Sequence, residues 1–117
     1  MIKAEERKLL HKYLLVDLAV KSLQIDYQRA EKFKLKVVFL LLIDTLIKDL
    51  RKECIELKNQ LAQHKIRVVE WRTIDEYFSD VQVATAGNDI VLRYANQALK
   101  TQVEKLILSQ MHNLKLK

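Results

Sequence analysis

Leu9, Tyr13, Val16, Val20, Leu23 and Tyr27 follow one another at steps of three and four residues. That is the period of one apolar helix face. Leu10, Leu14, Leu18 and Ile25 fall on a different side of the same helix, with Lys12 and Asp17 between the two sets. The pattern predicts a helix over residues 3–26 that packs against more than one neighbour.

Residues 28–64 predict a second, longer helix, rich in Leu, Lys, Glu and Gln and without a breaker. Its first part, Val37, Val38, Phe39, Leu40, Leu41, Leu42 and Ile43, is apolar all round, and such a girdle is expected to be surrounded by protein. From Leu46 onward the apolar set narrows to Leu46, Ile47, Leu50, Cys54, Leu57 and Leu61, close to a heptad seam. A join near Ile25 to Gln28 leaves little room for a loop. An antiparallel helical hairpin is the expectation, with one continuous helix as the alternative.

The period changes after residue 65. Ile66 to Trp71 is β-branched and aromatic and predicts a strand. Residues 81–85 and 90–94 carry apolar side chains at 81, 83, 90, 92 and 94 around Ala86-Gly87-Asn88-Asp89, which predicts a β-hairpin. A helical reading competes: Thr73 and Glu76 match a capping box, and Ile74, Tyr77, Phe78 and Val81 have helical spacing. The composition favours the small sheet. A last helix is predicted over residues 96–113, capped by Asn96, with Leu99, Val103, Leu106, Ile107 and Leu114 on one face. Lys115 and Lys117 then form a basic tail. The expected fold is α+β, mainly α, in a single domain over residues 1–117. It combines a helical hairpin (1–65), a β-rich segment (66–95) and a C-terminal helix (96–117). An all-α helical bundle is the alternative.

Composition narrows the chemistry more than it names it. One glycine, no proline and one cysteine among 117 residues exclude a glycine-rich phosphate loop and an internal disulfide. His11, His64, His112 and Cys54 lie at no metal-ligand spacing, and no serine sits in a nucleophile elbow, so neither a metal, a cofactor nor a catalytic residue is assigned. Asp75, Glu76 and Asp80, beside Tyr77 and Phe78, are the one acidic cluster that a general-acid role could use, and a solvated turn or helix start explains them as well. The first eight residues hold no apolar signal core, and the seven-residue apolar run is too short for the roughly 20 residues of a span. A cytoplasmic protein with no membrane partner is therefore expected.

The net charge of +6 divides into +5 over residues 1–65, −3 over 66–92 and +4 over 93–117. Surplus apolar helix surface favours a small non-enzymatic interaction protein. It is expected to self-associate, with a dimer first, and to serve as an adaptor or a regulatory or structural subunit. Its contact residues would be Val37 to Ile43 together with Leu46, Leu50, Leu57 and Leu61. The alternative is a nucleic-acid-binding accessory or regulatory protein that uses Arg29, Lys32, Lys36, Lys48, Arg51 and Lys52 on the second helix. Against it, the aromatics Trp71, Tyr77, Phe78 and Tyr94 lie in the acidic segment, apart from the basic residues.

Overall fold

Three helices and a three-stranded antiparallel sheet, described over residues 2–114 by a computed structural model, follow the expected order. The helices are α1 (Ala4–Ala30), α2 (Lys36–Gln63) and α3 (Asn96–Leu114); the strands are β1 (Arg67–Thr73), β2 (Phe78–Ala84) and β3 (Asp89–Ala95). The fold is α+β, mainly α. The basic tail at Lys115 and Lys117 lies outside the described residues.

The apolar residues of α1 divide between two clusters. Val16, Val20 and Leu23 share a core cluster with Ile43, Leu46, Ile47, Leu50 and Leu57 of α2, and with Val103 of α3. Leu10 and Leu14 instead join Leu61, Ile66 and the sheet residues Val81 and Val83 in a second cluster. The sheet runs in the order β1-β2-β3. Val81 pairs with Trp71 and Leu92, and Val83 with Val68 and Ile90, so one sheet face is apolar and covers the helices. The other face carries Glu70, Arg72, Asp80 and Arg93, the solvated side of an antiparallel sheet. The register of β1 on β2 shifts between Val68 and Glu70, which leaves Val69 as an exposed extra residue.

The open end of the hairpin is tied down locally. Glu6 accepts a hydrogen bond from the Lys3 amide (3.0 Å) through one carboxylate oxygen, and the other lies 3.0 Å from Nδ1 of His64 at the end of α2. Helix α2 closes with bonds from Ile66 N–H to Leu61 O and from Lys65 N–H to Ala62 O, both 2.9 Å. This Schellman arrangement holds Lys65 at φ 59°, the left-handed position where glycine is usual.

Two expectations need correction, and one alternative falls. The join between the first two helices is at residues 31–35, not 25–28: α1 continues through Ala30, because nothing in Tyr27-Gln28-Arg29-Ala30 breaks a helix and Ala30 itself is buried. The alternative, helical reading of residues 73–95 fails, and the favoured sheet stands. Asp75 accepts the amides of Tyr77 (2.8 Å) and Phe78 (2.9 Å), an Asx turn that sends the chain back as β2. The hairpin turn after β2 does not use the freedom of Gly87, which has no positive φ; Thr85 binds Asn88 through its backbone amide and its hydroxyl instead. The second expectation to be corrected concerns the girdle, which this chain leaves largely uncovered.

On the solvated face, Arg93 grips Asp80 through two bonds of 2.8 and 3.1 Å, which hold the Asp80 carboxyl below the usual carboxylate range. A depressed folded pKa contributes stability above the unfolded value of about 3.9 and loses it as pH falls through the folded value. Asp80→Asn is therefore expected to lower the melting temperature at pH 7, by an amount that shrinks as pH drops below about 4. Paired thermal melts at neutral and acid pH check this; an unchanged difference would show that the ion pair is not its cause.

Candidate functional site

The connection Glu31-Lys32-Phe33-Lys34-Leu35 contains neither glycine nor proline, yet both helices stop at it. The last turn of α1 tightens into short bonds from Lys32 N–H to Arg29 O (3.2 Å) and from Phe33 N–H to Ala30 O (3.0 Å). Leu35, at φ −97° and ψ 43°, leaves the helical region, and its carbonyl then accepts the amides of Val38 and Phe39 to begin α2. The rings of Phe33 and Phe39 meet edge to face across the connection, 5.3 Å between centroids. The tip is thus a shaped structure.

Its surface is apolar and basic together. Phe33, Leu35, Val37, Val38, Phe39 and Leu41 are between 40% and 65% exposed. Within residues 29–36, Arg29, Lys32, Lys34 and Lys36 stand against one carboxylate, Glu31, for a net charge of +3. Arg29 reaches Asp26 at 3.8 Å; among the described residues Lys32, Lys34 and Lys36 have no ion-pair partner. No acidic residue occupies the first turn of α2, so nothing there offsets the positive end of its dipole.

The girdle is therefore split. Ile43 is buried and Leu40 and Leu42 are half-buried, but Val37, Val38, Phe39 and Leu41 face water in this chain. The reason is position: these residues form the first turns of α2, where α1 is ending and the sheet lies at the other end of the hairpin, against Leu10 and Leu61. The seam has the opposite fate. Leu46, Leu50, Leu57 and Leu61 are buried in the chain's own two clusters, against α1 and the sheet, and are not open to a partner. The sequence reading also passed over Phe33, Lys34 and Leu35. Their alternation with lysine was the available signal, obscured by assigning them to a helix interior.

The six basic residues proposed for nucleic acid do not form one strip. Arg29, Lys32 and Lys36 belong to the tip. Lys48, Arg51 and Lys52 begin 12 residues further along α2, about 18 Å of helical rise. Lys48 is engaged with Asp44 at 3.0 Å.

One family model matches residues 1–115, and so spans hairpin, sheet and α3 together. The chain belongs to the YhjD protein family. The family's description names no activity, and no curated protein and no solved structure matches the chain.

Asp75, Asp80 and His11 of this YhjD-family chain have structural partners. Asp75 holds the turn after β1, and Asp80 pairs with Arg93. His11 stacks on Tyr94 (5.7 Å) and lies 2.8 Å from the side-chain oxygen of Gln102 on α3. Cys54 is half-buried on α2, and burial pushes its thiol pKa up, which keeps it protonated and a poor nucleophile at neutral pH. Among the described residues no group of three or more His, Cys, Asp or Glu is placed to hold a metal ion, and no helix is long and apolar enough to cross a membrane. Two open clefts flank the sheet. One, of about 550 Å³, is lined by Tyr13, Lys58, Lys65 and Arg67. The other, of about 580 Å³, lies between α1, α3 and the sheet; Trp71 lines it, and the Trp71 indole N–H is buried without an acceptor.

Proposed function

We propose that this YhjD-family protein is a small non-enzymatic interaction protein, an adaptor or a regulatory or structural subunit, whose contact surface is the hairpin tip from Phe33 to Leu41. One observation carries the reading: large apolar side chains that a folded chain normally covers stand in water there, side by side, on a connection that is itself ordered by hydrogen bonds and ring packing. The rest of the apolar helix surface supports it, because Leu10, Leu14, Val16, Val20 and Leu23 of α1 and the seam of α2 are absorbed internally.

The test is a tip variant, Val37→Ser/Val38→Ser/Leu41→Ser. These side chains are exposed, so each substitution is expected to change folding stability by no more than about 0.5 kcal/mol. In an extract of the native cells, the wild-type protein is expected in an assembly well above its own 13.8 kDa mass or in the membrane pellet, and the variant at its monomer mass. Equal elution of both proteins at monomer mass would overturn the reading. So would a variant that unfolds, since its residues would then be core.

A further inference from the structure

We propose that the occupant of the tip is an anionic lipid surface: the hairpin docks end-on, with Phe33, Leu35, Val37, Val38 and Leu41 in the headgroup boundary and Lys32, Lys34 and Lys36 on the lipid phosphates. This rests on the reading of the tip as the contact surface and names its partner.

Three features converge on that occupant. The first is the mixture of side chains. Lysine alternates with phenylalanine and leucine through Lys32-Phe33-Lys34-Leu35-Lys36, and two valines follow. A charged ring around an apolar point suits the boundary between headgroups and acyl chains, where long lysine stems keep their ammonium groups at the phosphates while apolar neighbours sink deeper. The second is depth. From Val37 to Leu41 the helix rises about 6 Å, within the roughly 5–10 Å to which interfacial helices bury their apolar faces. A docked tip needs no spanning segment, so the short apolar run that excludes a span suffices here. The third is charge. The residues 29–36 carry net +3, the three lysines lack ion-pair partners among the described residues, and the uncompensated N-terminus of α2 adds to the same positive field.

The other occupants fit these features less well. A second copy meeting tip to tip about a twofold axis would set the same three lysines against themselves, with Glu31 as the one nearby carboxylate to answer them. A nucleic acid would satisfy the lysines and leave Leu35, Val37, Val38 and Leu41 with no apolar counterpart. The Phe33 and Phe39 rings already pack on each other.

The experiment is co-sedimentation of the purified full chain with phosphatidylcholine vesicles, with and without phosphatidylglycerol. Strong binding to the anionic vesicles and weak binding to the neutral ones is expected, falling as salt rises. Neutralising Lys32, Lys34 and Lys36 together (K32Q/K34Q/K36Q) should weaken binding on the order of 100-fold, from about fivefold per lysine at a lipid surface. Leu35→Ser/Leu41→Ser should weaken it while leaving the circular dichroism spectrum unchanged. Ile55→Ser, an exposed apolar residue far along α2, should bind as wild type does. Equal binding to both vesicles, or loss of binding in Ile55→Ser, overturns the proposal. Binding to neither vesicle also overturns it, and light scattering then separates the cases. A dimer that Leu35→Ser/Leu41→Ser dissociates assigns the tip to a second copy and preserves the contact-surface reading. Retention on duplex DNA in place of vesicles assigns it to nucleic acid. A strict monomer with no ligand removes the lipid reading, and elution of the wild-type protein at monomer mass from the native extract then removes the contact-surface reading as well.

Discussion

Replacing Leu50 by alanine is expected to lower the unfolding free energy by about 2–5 kcal/mol, a large share of the roughly 5–15 kcal/mol that holds a domain of this size together. Leu50 is fully buried, in the cluster where α2 meets Val16, Val20 and Leu23 of α1. Removing its isobutyl group loses the transfer free energy of the deleted carbons and opens a cavity that two helices and α3 cannot fully close. Chemical denaturation gives the answer directly: the midpoint should fall with the slope unchanged, since the folded state exposes no new surface. The informative control is Leu41→Ala, nine positions earlier on the same helix. Leu41 is 65% exposed, and its truncation should shift stability by no more than about 0.5 kcal/mol. Similar losses at both positions would mean that the first turns of α2 are covered, and the exposed tip would no longer stand.

Val81→Asp is expected to unfold the chain at neutral pH or to leave it marginally folded. Val81 is fully buried at the middle of the central strand, between Trp71 and Leu92, with Leu10 and Leu14 of α1 in the same cluster. A carboxylate there loses its hydration with no opposite charge in its cluster, and several kcal/mol of destabilisation follow. The sign of the pH response is fixed by the same argument. Burial raises the folded pKa of the new carboxyl above its unfolded value near 3.9, so the variant is least destabilised below about pH 4 and becomes worse as pH rises. Denaturation of variant and wild type at pH 4 and pH 7 measures the difference. A loss independent of pH would show that shape rather than charge is responsible. No measurable loss would remove Val81 from the core.

Much of this architecture was legible because periodicity reports the number of packing faces. Two apolar stripes on α1 required two neighbours, and the structure supplies α2 and the sheet, divided by position along the helix: Leu10 and Leu14 reach the sheet, Leu18 packs with the α2 cluster and Ile25 is exposed. Alternation at 81, 83, 90 and 92 required a half-buried sheet, and those residues do face the helices. Apolar character around a whole helix is a weaker guide. It states that burial would be favourable, and it cannot say whether the rest of the chain reaches that far. At Val37 to Leu41 it does not, because a helical hairpin has an end and the sheet packs at the opposite one. The seam from Leu46 to Leu61 shows the converse. A heptad-like stripe looks the same in sequence whether its partner is another chain or the helix before it.

Helix and strand periodicity and the scarcity of chemistry-bearing residues are written along the chain, since each depends on near neighbours in sequence. The break at residues 31–35 depends on which helical face must turn toward which, and the chain carries no glycine or proline to mark it. The uncovered tip is a tertiary property for the same reason. Exposure is set by how far the neighbouring elements extend, so three lysines and five apolar side chains that read as the interior of a long helix became one end of the molecule only when the hairpin closed.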